Sequence, residues 1–71
     1  MDILYNTIFL NGKPLNCSRN TSLYDLLLYY GFNVDTVVVE YNQKVLSSQS
    51  LSEIFLKAED NIEVITIVGG G

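Results

Sequence analysis

The chain has 71 residues, four basic and eight acidic, for a net charge of −4, with one Cys and neither His nor Trp. The missing His excludes Ser-His-Asp and Cys-His nucleophile systems, the Cys and His count excludes a zinc site, and one Cys cannot close an intramolecular disulfide. The acidic balance speaks against nucleic acid and anionic membranes, and one small globular domain of this length leaves little room for a large active-site cavity.

Residues 1–6 begin with an acid, Asp2, where a secretory leader would carry basic residues, and no apolar run is long enough to span a bilayer. A cytoplasmic or organelle-stroma location is expected. Tyr5 to Leu10 is rich in β-branched, aromatic and aliphatic residues and ends at Asn11-Gly12, a strong hairpin dipeptide. Pro14 leads into Leu15-Asn16-Cys17, which is expected to be an edge strand. Ser22 and Asp25 form a capping-box pattern. Behind it Leu23, Leu26, Leu27 and Tyr30 recur at helical spacing, so one apolar stripe faces the core. Gly31 supplies a left-handed helix ending, with Phe32 packing back on Leu27. Tyr24 and Leu28 read as a widening of the buried face.

Thr36 to Tyr41 is a β-branched strand, Asn42-Gln43 turns the chain, and Lys44-Val45-Leu46 returns. Ser50 and Glu53 make a second capping box ahead of Leu51, Ile54 and Phe55, which predicts a short helical turn. Asp60-Asn61 turns again. From Val64 the last run barely alternates, as a strand covered on both faces or flanked by parallel neighbours would read, and it is expected to be central in the sheet. The acids Glu40, Glu53, Glu59, Asp60 and Glu63 read as solvated surface. Cys17, far in sequence from the carboxy terminus, reads as a small strand residue rather than a sulfur relay.

The feature that carries chemistry is the end, Gly69-Gly70-Gly71. Three residues without side chains reach at most roughly 10 Å and enter slots closed to other residues. The α-carboxylate is a poor acyl electrophile until ATP converts it to an acyl-adenylate, which sulfur or an amine can then attack. On this reading the domain presents Gly71 and the reaction centres belong to other proteins.

A hairpin, a capped helix, a strand, a short helical turn and a final central strand follow the order of a β-grasp fold. Within that order Ile8–Leu15 resembles the opening hairpin of the ThiS family, the sulfur carriers of thiazole formation in thiamine biosynthesis. Ser22–Leu27 looks like that family's helix, Val37–Asn42 like its middle strand and turn, and Asp60–Ile65 like the turn and strand before its diglycine end. The resemblance covers residues 8–71 and implies an α+β, ubiquitin-like fold: a mixed sheet of four to five strands with one main helix on one face. It divides the chain into a domain at 1–68, with 1–6 as an N-terminal extension, and a tail at 69–71. It further implies that Gly71 is adenylated and thiocarboxylated, that Gly70 passes into partners' clefts, and that Val68 and Gly69 form the neck. No metal and no bound cofactor is expected, ATP being used by an adenylyltransferase related to ubiquitin-activating enzymes. The other implied partners are thiazole synthase and a cysteine desulfurase or sulfur transferase. The chain itself is not expected to be an enzyme.

Two departures stand out: three glycines where the family needs two, and about six residues ahead of its usual start. The small subunit of molybdopterin synthase shares fold and tail, but its family carries prolines before the diglycine, and Ile65–Val68 has none. A ubiquitin-like modifier and a β-grasp interaction module with an inert tail remain as alternatives. An exposed apolar patch on the sheet is expected to meet partners, without residues that the sequence can name.

Overall fold

The structure, a computed structural model, describes residues 4–67. Five strands form one mixed sheet: β1 (Tyr5–Leu10), β2 (Lys13–Ser18), β3 (Val37–Tyr41), β4 (Lys44–Leu46) and β5 (Asn61–Thr66). Their order is β2-β1-β5-β3-β4. β5 pairs parallel with β1 and antiparallel with β3, so the last strand is central, as expected. The single α-helix among the described residues, α1 (Leu23–Tyr29), packs on one face. This is the anticipated α+β architecture. The boundary expected between residues 68 and 69 lies outside the described residues.

Local chemistry explains the hairpins. Asn11 and Gly12 take φ of 50° and 83°, and Asn42 and Gln43 take 49° and 73°. Two consecutive positive φ values match the right-handed twist of the strands that they join. Asn and Gly suit this geometry; Gln43 adopts it at a steric cost.

Around α1, Ser22 Oγ accepts from the Asp25 amide at 3.0 Å, filling one of the orphan donors of the first turn. Gly31, at φ 81°, ends the helix. There Phe32 N donates to Leu27 O at 2.9 Å and Gly31 N to Leu28 O at 3.0 Å, a Schellman ending. Tyr30 departs from the expected stripe. It is the helix's C-cap rather than a core position, and its ring packs edge-on against Tyr29 near the surface. Tyr30 still donates its amide to Leu26 O at 3.2 Å, but it stands at the very end of the helix, where its side chain is 44% exposed. Leu28 is likewise exposed, whereas Tyr24 packs on the core.

The expected second helical turn exists as a 3₁₀ turn over Ser48–Glu53, but Ser47, not Ser50, is its N-cap. Ser50 instead donates its amide to Ser47 O at 3.1 Å. Buried Leu51 of this turn, with Leu56 beyond it, closes the core beneath Leu23, Leu26 and Leu27. The sheet contributes Ile8, Leu10, Cys17, Val39, Ile62 and Val64. One sheet face therefore holds the whole core. Of the two readings of the weak alternation of β5, a parallel neighbour is present in β1, whereas coverage on both faces is not: Ile62 and Val64 are buried, but Ile65 and, just beyond the strand, Ile67 are 54% and 56% exposed. Only one layer covers the sheet, so the residues of β5 that point away from α1 stay open. No helix among the described residues is long and apolar enough to cross a membrane.

Candidate functional site

The site is built from the end of β5. On one flank, Val37 pairs with Thr66, and Ile67 N donates to Thr36 O at 3.0 Å. Thr36 belongs to a 3₁₀ turn over Val34–Thr36, whose first amide donor, Asp35 N, is met by Asn33 Oδ1 at 3.0 Å. On the other flank β1 gives only two rungs, opposite Asn61 and Ile62, before it turns back. Asn11 takes over from there. Its amide donates to Ile62 O at 2.9 Å and its Oδ1 accepts from Val64 N at 2.8 Å. One side chain thus continues the ladder where the backbone has left it. The result is a strand held on one flank as far as Val64 and on the other as far as Ile67. Val68, Gly69, Gly70 and Gly71, singled out from the sequence, lie outside the described residues.

The second part is the open sheet face. Alternation and register place Phe9, Val38, Glu40, Val45, Glu63 and Ile65 on the side away from α1. Ile67 continues the same period toward the neck. Val45 is 68% exposed, and with Ile65 and Ile67 it forms an apolar surface of the kind that marks an interaction site. The sequence held a signal for it, the loss of alternation after Val64, which is equally the reading of a strand covered on both faces.

The titratable groups of the interior are structural. Asp60, expected at the surface, is buried. Its Oδ2 accepts from Tyr41 OH at 2.5 Å and from Lys57 N at 2.7 Å, and its Oδ1 accepts from Asn42 Nδ2 at 3.1 Å. Burial pushes its carboxyl up, but the hydrogen bonds and the Lys57 charge outweigh this and hold it below the usual 3.8. Tyr41 is pushed up to about 12, first by burial and then by its bond to Asp60. Cys17 is a buried core residue whose thiol is pushed up by burial and by the Asp60 charge. A raised thiol is a poor nucleophile, in keeping with the strand-residue reading. Among the described residues no group of three His, Cys, Asp or Glu side chains could hold a metal ion.

Comparison with known proteins agrees with this geometry. The model of the ThiS family matches residues 8–71. A protein of Pyropia yezoensis named "Uncharacterized protein ycf40" is 46% identical, with 92% of each chain covered. The "Sulfur carrier protein ThiS" of Bacillus subtilis is 35% identical over 87% of this chain and 96% of its own length. A segment amounting to 20% of a "Thiazole synthase" from Magnetococcus marinus is 41% identical over 90% of this chain. Among solved structures, the thiamine biosynthesis protein (ThiS) of Geobacter metallireducens superposes with a TM-score of 0.76 at 26% identity, covering 92% of this chain and 99% of that one.

Proposed function

The chain belongs to the ThiS family and with it to the sulfur carriers of thiamine biosynthesis, and from this premise we propose that Gly71 is the atom-carrying end of the cycle. The Gly71 carboxylate attacks the α-phosphorus of ATP in the site of an adenylyltransferase related to ubiquitin-activating enzymes, and pyrophosphate leaves. A persulfide carried by a cysteine desulfurase or sulfur transferase then attacks the acyl carbon and expels AMP, and a thiol reductant cleaves the resulting acyl disulfide, so that one carboxylate oxygen is replaced by sulfur. Thiazole synthase draws on that sulfur. Gly70 enters the clefts of these enzymes, and Val68 and Gly69 form the neck.

One observation carries the reading: the central strand is anchored at Val64 by Asn11 and at Ile67 by Thr36, and in the sequence the glycines begin two residues after Ile67. Such an anchor fixes the base of the tail while a partner moulds the rest. The family match extends through Gly71, which supports the same end point. Pairing with thiazole synthase is supported by the similar segment that lies within such an enzyme. In this reading the chain binds no cofactor and performs no catalysis, ATP being the substrate of its partner. Its place is the compartment of those partners, cytoplasm or organelle stroma.

The test is ATP–pyrophosphate exchange with the thiazole-pathway adenylyltransferase, comparing the intact chain with one lacking Gly70 and Gly71, since removal of Gly71 alone would leave a diglycine end. Exchange that requires the glycine end is the expected result, followed on addition of a cysteine desulfurase, cysteine and a thiol reductant by the mass change of one oxygen replaced by sulfur. Exchange that persists without Gly70 and Gly71, or none with the intact chain, overturns the assignment. Exchange with the molybdopterin-pathway enzyme instead identifies the rival carrier.

A further inference from the structure

Glu40 and Glu63 stand directly opposite each other on β3 and β5. Val45 faces Glu40 from β4, and Val38 and Ile65 form the next rung on this side of the sheet. Like charges in register on adjacent strands cost stability. The cation nearest to Glu40 in sequence, Lys44, pairs with Tyr41 and so belongs to the other face.

Two features of this surface conflict unless something covers it. A sheet face meant for water would not expose Val45, Ile65 and Ile67 together. A face meant for purely apolar contact would not set two carboxylates at its centre, because burying them unpaired is costly. Both features suit one occupant: a protein surface that is apolar and projects a basic side chain between the two carboxylates. A guanidinium fits best, since its planar fork of donors can serve two carboxylates at once. Position adds a further argument. From Ile67 to Gly71 the chain reaches at most roughly 14 Å, so an enzyme whose cleft receives Gly71 lies close to this end of the face.

We propose that the open face docks the adenylating enzyme through an Arg set among apolar residues, and that Glu40 and Glu63 select that partner by its cation. The choice of occupant rests on the sulfur-carrier reading above. The like-charge pair is then a feature that weakens the free protein and is relieved on docking.

The test uses the full chain and its Glu40→Gln, Glu63→Gln and double variants. Binding to the thiazole-pathway adenylyltransferase is measured by titration calorimetry without ATP, at low and high salt, beside ATP–pyrophosphate exchange and thermal melting. The double variant is expected to bind roughly tenfold more weakly or worse, with a flatter salt dependence. In exchange, KM for the carrier rises while kcat holds. Its melting temperature rises, because the repulsion is gone. A merely structural role would lower the melting temperature and leave affinity untouched. Unchanged affinity and salt dependence in the double variant overturn the proposal, as does an intact chain that does not bind. Exchange that requires the glycine end but ignores both glutamates overturns the docking proposal alone. Glutamate-dependent binding without exchange overturns the adenylation reading and upholds the docking face.

Discussion

Asp60 ties together segments far apart in sequence, because Tyr41 and Asn42 reach it from 19 and 18 residues away. Its ionised form is the one that the fold prefers. A carboxyl held below its ordinary value contributes stability that is present above about 3.8 and lost as pH falls through the folded pKa. Urea unfolding between pH 7 and pH 2 is therefore expected to show a steep acid loss. Asp60→Asn removes that part of the slope and costs roughly 1–3 kcal/mol at neutral pH, where Tyr41 and the Lys57 amide lose a charged acceptor. Parallel pH profiles for the two proteins would count against this account. Tyr41 acts at the other limit: its contribution is present below pH 10.0 and lost as pH rises through about 12. None of this was legible in the sequence. Asp60-Asn61 reads as a solvated turn, and only the fold brings the phenol and the amide to it.

At the scale of elements, sequence signals that act over a few residues translate faithfully. Ser22 caps α1 at the predicted amide, and Gly31 ends it with the predicted Phe32 contact. Both depend on backbone geometry within one turn, which is why the pattern suffices. The hairpin at Asn42-Gln43 obeys the same logic with a poorer residue. Gln43 holds φ at 73°, a region that costs a non-glycine residue roughly 1–2 kcal/mol. Gln43→Gly relieves that strain but frees the unfolded chain, so a net gain of about 0.5–1 kcal/mol is expected. Chemical denaturation of the two proteins checks it, and a destabilised variant would refute it. Tyr30 and the Ser50 box mark the limit of such signals. Each fits its local template, but Tyr30 falls on the last position of the helix, at its C-cap, and the 3₁₀ turn takes Ser47 rather than Ser50 as its cap.

The whole molecule has a covered face and an open one, and substitutions on the two should behave differently. Leu27 is fully buried under the sheet, whereas Ile65 is half exposed on the other side. Leu27→Ala is expected to cost about 2–5 kcal/mol, comparable with the roughly 3–5 kcal/mol that a domain of this size commands. Ile65→Ser is expected to change stability by less than about 0.5 kcal/mol while weakening association with the adenylyltransferase. Thermal melting and a binding titration on the same two variants separate these outcomes. Equal destabilisation would mean that Ile65 is a core residue after all.

The order of elements, both hairpins, the helix with its ends, the central place of the last strand and the family were all readable from the residues in order. These follow from propensity, capping and turn chemistry, which act between near neighbours, and from a pattern spread over residues 8–71. The tertiary structure alone decided which face of β5 is covered, where Asp60 lies, that Asn11 extends the ladder, and that Glu40 opposes Glu63. An apolar residue at a given strand position satisfies a core and a docking surface equally well. Which of the two it serves depends on whether another layer lies above it, and that is a property of the assembled fold.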